Sequence, residues 1–169
     1  CKMIILIIFL SGIGQFQQKL KIHFLDVGQG DSCFIITPNH KTILIDGGGS
    51  TSSSFDVGKD TVIPYLLDKG YTKINYVFIS HFDQDHVGGI LPVLEELHIG
   101  QIFISPQVEK SENYETFLEL VKQKDLKVQE VKAGDKIIIE DITFQILWPI
   151  EKPIEENLSL IHISEPTRH

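Results

Sequence analysis

Four side chains able to hold a metal ion fall within six positions of this chain: His81, Asp83, Asp85 and His86, in the segment SHFDQDHVGG at 80–89. An imidazole offers a neutral nitrogen and a carboxylate offers a hard oxygen. Such a mixed set accepts Zn²⁺, and the carboxylate at Asp83 draws the preference toward harder ions such as Mn²⁺. His81 and Asp83 are two apart, so extended backbone directs both side chains to one side. Asp85 shares that parity, and His86 turns to the other side as the chain enters a helix. One short loop could then serve two cations roughly 3.5–4 Å apart, the separation used by two-metal hydrolases. The plainer alternative is a capping loop, with Asp85 as a helix N-cap and His81 as a satisfied core histidine. That would account for one His and one Asp, but less well for four ligand types followed by Gly88-Gly89.

A site needs rigid supports, and the flanking sequence provides them. The apolar run at 76–79, Tyr-Val-Phe-Ile, has the β-branched and aromatic character of a buried strand. Residues 90–97 read as an amphipathic helix with Pro92 tolerated near its first turn. Upstream, residues 19–27 alternate as a strand, Leu20, Ile22 and Phe24 on one face and Lys21 and His23 on the polar one. Gly28-Gln29-Gly30-Asp31 turns the chain, and 32–37 returns to close a hairpin. A third strand, 42–45, ends in Asp46 and three glycines. Residues 50–54 are low in complexity and expected to be mobile. Residues 57–69 read as a helix, apolar at Val57, Val62, Ile63, Leu66 and Leu67 and stopped by Gly70.

Downstream, 101–104 is a further core strand. Residues 113–123 form a helix with Phe117, Leu118 and Val121 inward, and 127–131 is a short strand. Residues 136–140 and 142–147 make a hairpin. Helices alternating with strands, joined by both hairpins and crossovers, predict an α/β layered domain.

Acids stand just past three strands: Asp26 and Asp31 around the first glycine turn, Asp46 before three glycines, and Asp83 and Asp85 in the ligand loop. Functional groups gather at strand ends, where glycines let backbone approach a ligand closely. Ordinary Asp-Gly turns would look the same. For Asp46 the expected role is behind the ligands, accepting hydrogen bonds that fix their loop. Asp31 reads equally well as a turn carboxylate or as one beside substrate or metal, with Gln29 next to it. His23, His40 and His98, the last ending a helix, are assigned to structure or solvent.

The chain's 169 residues suffice for one domain with a sizeable core. A net charge of −8 argues against a broad nucleic-acid-binding face. It leaves room for a phosphate held locally by cations, which would reverse the sign of the cleft. Cys33 sits in an apolar run and reads as a small buried hydrophobe, so no disulfide framework is expected with Cys1. Residues 4–10 are continuously apolar. They are read as the tail of a transmembrane helix, in preference to a signal-peptide core or a buried strand. Residues 159–168, SLIHISEPTR, look like translated read-through into a sequencing adapter. On that reading His162 and His169 are not ligands.

Three segments together carry a resemblance: LDVGQGDS at 25–32, LIDGG at 44–48, and SHFDQDHVGG at 80–89. They resemble the metallo-β-lactamase fold, and more narrowly the C-terminal domain of the ComEC family of DNA-uptake competence proteins. Asp83 stands where the fold's commoner H-x-H-x-D-H pattern has a second His, and ComEC-like sequences share that departure.

The resemblance implies an αββα sandwich with a two-metal site at one rim, spanning 19–157. It also implies that only the N-terminal half to two-thirds of that domain is present, and a membrane region before it fits 1–18 as the end of a membrane helix or linker. The adapter-like run makes 158–169 a non-native tail. His81 and Asp83 would bind one metal, Asp85 and His86 the other, with Asp85 and His86 as the catalytic pair. Further family ligands fall in a second half beyond Pro149 and Asn157.

The function so implied is metal-dependent hydrolysis of DNA during uptake, on the extracytoplasmic side of a bacterial cell membrane. DNA and the membrane are the expected partners, and nothing in the sequence points to an oligomer. Two other readings stay open: a secreted or anchored hydrolase of a different ester, and a non-catalytic DNA-binding or scaffold domain.

Overall fold

The computed structural model describes residues 19–50, 55–107 and 111–149. The expectations for 1–18, for 51–54 and for the tail after 149 lie outside the described residues.

Strands β1 (Lys21–Phe24), β2 (Cys33–Ile36) and β3 (Thr42–Ile45) form an antiparallel meander joined by short turns. Strands β4 (Lys73–Ile79), β5 (His98–Ile104) and β6 (Val128–Glu130) then add in parallel, giving one six-stranded sheet in sequence order. The change of direction follows from the connections, because parallel neighbours need a crossover long enough to hold a helix. Between β3 and β4 a π-helical turn (Gly58–Val62) runs into α1 (Ile63–Asp68). Between β4 and β5 lie α2 (Gln84–Val87) and α3 (Ile90–Glu96), and between β5 and β6 lies α4 (Glu112–Lys124). Strands β7 (Lys136–Ile139) and β8 (Ile142–Gln145) make a separate two-stranded antiparallel sheet.

Both faces of the large sheet are covered, which is why β2 is buried along its whole length and reads CFII rather than alternating. On one face Phe34, Leu44, Val77 and Ile102 pack against Val62, Leu66, Ile90, Leu94 and Phe117 of the helices. On the other face Cys33, Ile35, Ile43, Phe78 and Phe103 meet Ile139 of the hairpin and Val131 beside β6. Phe78 stacks on Phe103 at 4.7 Å and on Phe144 at 5.6 Å. The described residues thus supply a helix layer and two β layers, the α/β sandwich expected from the sequence. Cys33 is a buried free thiol whose pKa burial pushes up to about 11.

Local expectations are corrected in several places. The 57–69 helix opens with a π-helical turn rather than a regular α-helical one. The alternation at β1 is real, but its faces are exchanged. Directly opposed residues of an antiparallel pair share a face, so Ile22 and Phe24 lie with their partners Ile35 and Cys33. There Phe24 is 73% exposed, while His23 is half-buried on the helix side, its Nδ1 2.8 Å from the Tyr65 hydroxyl. Alternation defines two faces without saying which one is covered.

Leu118 is exposed rather than inward, and the apolar Leu67 is exposed as well. In α4 the covered stripe is Tyr114, Phe117 and Val121, spaced i, i+3, i+7. His98 begins β5 instead of ending a helix.

Candidate metal centre

Strand β4 delivers the chain to Ser80 and into the ligand loop. Alternate side chains there go opposite ways, as extended backbone requires. Phe82 is buried against Tyr114 at 4.8 Å and Phe117 at 5.1 Å, and its carbonyl accepts from the Asn113 side chain at 3.1 Å. His81 and Asp83 remain on the open side, with His81 Nε2 3.5 Å from Asp83 Oδ2. Asp83 is then the N-cap residue of α2, its carbonyl accepting from the N–H groups of His86 and Val87, both at 3.0 Å. Asp85 and His86 therefore project from a helical turn. The two-residue parity expected for Asp85 ends at Asp83, because a helix advances 100° per residue.

The three motif loops interlock through their backbones. The Gly47 N–H donates to the His86 carbonyl and the Gly89 N–H to the Gly48 carbonyl, both at 2.8 Å. The Gly48 and Gly49 N–H groups donate to the carbonyls of Asp31 and Gln29, at 2.9 and 3.3 Å. Approach is so close that a Cβ on Gly30 would overlap the Asp85 carbonyl, and one on Gly49 the Gln84 carbonyl. These glycines are required for contact between loops.

Asp46 lies beneath the site, buried to 2% exposure and at a positive φ of 50°, a conformation Asp tolerates better than most residues. Its N–H donates to the Phe78 carbonyl at 3.0 Å, and its own carbonyl accepts from the Ser32 hydroxyl at 3.1 Å. Its Oδ1 accepts from the Ser80 N–H at 2.9 Å. Its Oδ2 accepts from the Ser80 hydroxyl at 2.6 Å and from His86 Nδ1 at 3.1 Å. A carboxylate behind a histidine in this way orients the ring and leaves Nε2 as the free donor atom.

His81, Asp85 and His86 each present a ligand-type atom, all within 4.8 Å of one another. The two imidazole centroids are 4.0 Å apart, and His86 Nε2 is 3.9 Å from Asp85 Oδ2. Asp83 and Asp85 are half-exposed while His86 is buried, so the cluster has a closed floor and an open mouth. Burial and the neighbouring His86 lower the His81 pKa below its ordinary value, against the pull of Asp83, Asp46 and Asp85. Burial also acts to lower His86, but the hydrogen bond it donates to Asp46 and the charges of Asp46, Asp85 and Asp31 outweigh it and raise that pKa. Two imidazoles with free Nε2 atoms beside carboxylates are a donor set that fits a divalent cation.

The structure thus brings His81, Asp85 and His86 together, with Asp83 against His81 and Asp46 underneath. Asp31 and Gln29 join through their backbone carbonyls, and Asp31 also acts on His86 through its charge. Sequence reasoning passed over Ser80, Ser32 and Asn113. The one available signal was for Ser80, the residue directly before the first ligand.

Residues 26–168 match the family model of the metallo-beta-lactamase superfamily. The chain belongs to that superfamily. Within it, the curated relatives include a ComE operon protein, the family that the three motifs resemble, and a recombination protein. ComE operon protein 3 of Bacillus subtilis (strain 168) is 30% identical over 140 residues, covering 76% of this chain and 18% of that protein. Recombination protein 2 of Haemophilus influenzae is 33% identical over 97 residues, covering 57% of this chain and 12% of that protein. The chain therefore spans less than a fifth of the length of these relatives.

Among solved structures, a Cronobacter sakazakii metallo-beta-lactamase with a HARLDQ motif aligns with a TM-score of 0.42 and 17% identity, over 68% of this chain and 46% of the other. Its S60 mutant gives 0.44 and 19%, over 72% and 47%.

Proposed function

We propose that this chain is the metal-dependent hydrolase domain of a bacterial membrane competence protein, a phosphodiesterase acting on DNA during uptake. The observation that carries the reading is the convergence of His81, Asp85 and His86 within 4.8 Å over a buried Asp46. The relatives, one named for the ComE operon and one for recombination, support a role in handling DNA. Two cations, Mn²⁺ or Zn²⁺, would be held by His81 with Asp83 and by Asp85 with His86. In support, each pair sets an Nε2 near a carboxylate oxygen, at 3.5 and 3.9 Å.

When bound, divalent cations supply Lewis-acid polarisation of a phosphodiester and activation of water. The chain's own residues orient and exchange protons. Asp46 holds the His86 ring through Nδ1, and the interlocked glycine loops hold the backbone that carries Asp85. Asp85, half-exposed beside His86, orients water and takes its proton on the carboxylate oxygen not turned to the cation. Membrane attachment is assigned to residues 1–18, with the hydrolase domain on the extracytoplasmic side. No helix among the described residues is long and apolar enough to cross a membrane.

The test is cleavage of end-labelled DNA by the full-length protein, with and without Mn²⁺ or Zn²⁺, for wild type, Asp83→Ala and Asp85→Ala. Metal-dependent cleavage falling about 100-fold or more in both variants is expected. An unchanged rate in both would leave a non-catalytic DNA-binding or scaffold domain. Hydrolysis of other esters without DNA cleavage would favour a different substrate on the same site.

A further inference from the structure

We infer that Ser80 is a positioning residue that carries the hold of Asp46 across to His81, fixing its ring as the Nδ1–H tautomer with Nε2 free. Its consequence for metal binding rests on the function proposed above, whereas the tautomer follows from proton counting alone. As a carboxylate, Asp46 can only accept hydrogen bonds, and the Ser80 hydroxyl has one proton to give. The 2.6 Å separation of Ser80 Oγ from Asp46 Oδ2 is that of a hydroxyl donating to a charged oxygen. That proton is therefore committed. His81 Nδ1 lies 2.9 Å from the same Oγ, which can now only accept, so Nδ1 must carry the hydrogen. His86 Nδ1, 3.1 Å from Asp46 Oδ2, is a donor for the same reason.

One buried carboxylate thus sets both rings, His86 directly and His81 through a serine. Both Nε2 lone pairs then face the carboxylates at the mouth of the site. Ser80 is itself clamped: its N–H donates to Asp46 Oδ1 at 2.9 Å, and its carbonyl accepts from the Ser105 hydroxyl at 2.7 Å. Without the hydroxyl, His81 Nδ1 would lose its acceptor. Asp83 Oδ2, 3.5 Å from Nε2, would then favour a hydrogen on Nε2, turning the ligand atom into a donor.

The experiment is a long-range imidazole ¹H–¹⁵N spectrum of the metal-free 169-residue chain, for wild type, Ser80→Ala and Ser80→Thr. It is recorded at about pH 8 and then at higher pH until neither ring's signals move, so that both imidazoles are neutral, the ordinary pKa being about 6.5 and that of His86 raised. The same three proteins are then titrated with Zn²⁺. In wild type both His81 and His86 should be Nδ1–H. In Ser80→Ala, His81 alone should shift to Nε2–H, with Zn²⁺ binding weakened about 10–100-fold. Ser80→Thr, which keeps the hydroxyl, should restore both properties.

An Nε2–H His81 in wild type overturns the inference, and needs no variant to fold. An Nδ1–H His81 that persists in folded Ser80→Ala overturns it as well. Should wild type show the expected tautomers yet bind no Zn²⁺ or Mn²⁺, the positioning role stands and the metal-centre reading falls.

Discussion

At the residue scale, the chemistry depends on which group holds which. The ligand types and spacing of His81, Asp83, Asp85 and His86 are legible in the sequence because they are local. Their support is not, because Asp46 and Ser80 are 34 residues apart and meet only when β3 and β4 pair. The two histidines are set in opposite directions, and this gives a pH signature in the metal-free chain. His86 has a raised pKa when folded, so it adds stability that is fully present below the unfolded value of about 6.5 and is lost as pH rises through the folded value. His81 has a lowered pKa, so its contribution is lost as pH falls from about 6.5 through its folded value. Urea unfolding of wild type and His86→Gln against pH isolates the first effect. The wild-type advantage should shrink as pH rises above about 6.5, and an advantage that grew would have the wrong sign. Because a cation must displace the proton on His86, metal affinity should also rise with pH over the same window.

At the scale of elements, the site is a junction of three loops pressed together by backbone contacts and one aromatic anchor. Phe82 ties the ligand loop to α4, and deleting its ring should destabilise the fold. Phe82→Ala is expected to cost about 3–5 kcal/mol in chemical unfolding, with the loop loosened. A loss within error of zero would mean the loop is not anchored there. Gly30→Ala and Gly49→Ala put a Cβ onto the carbonyls of Asp85 and Gln84, so each should weaken metal binding without touching a ligand. Gly28→Ala is the control, because a Cβ there meets nothing within 4 Å, leaving only backbone strain at its φ of 77°. Strand and helix order was legible because apolar runs and glycine turns punctuate it. The errors fell where a pattern has two solutions. The alternation of β1 could not say that His23 faces the helices, and Leu118 looked inward until the i, i+3, i+7 stripe of α4 was seated on Phe82. The helical turn Gln84–Val87 was hidden because a single turn carries too few residues for a period to show.

At the scale of the whole molecule, the proposed function would have an acidic chain with a net charge of −8 meet a polyanion. Metal-free, such a field would repel DNA, and on the proposed function attraction would be confined to a cation-loaded site. Fluorescence anisotropy with a short labelled duplex should therefore show weak binding by the metal-free chain and tighter binding on adding Mn²⁺ or Zn²⁺. Equal affinity in both states would place recognition elsewhere. The sandwich itself was legible as layers, since a sheet buried on both faces requires cover on each side, supplied here by helices and by the β7–β8 hairpin. The central claim is that His81, Asp85 and His86 form a metal centre, and the most direct test is calorimetric titration of the chain with Zn²⁺ and with Mn²⁺. Wild type should bind, and Asp85→Ala and His86→Ala should each bind at least about 10-fold more weakly. Binding of equal strength in all three proteins, or none in wild type, would contradict the account.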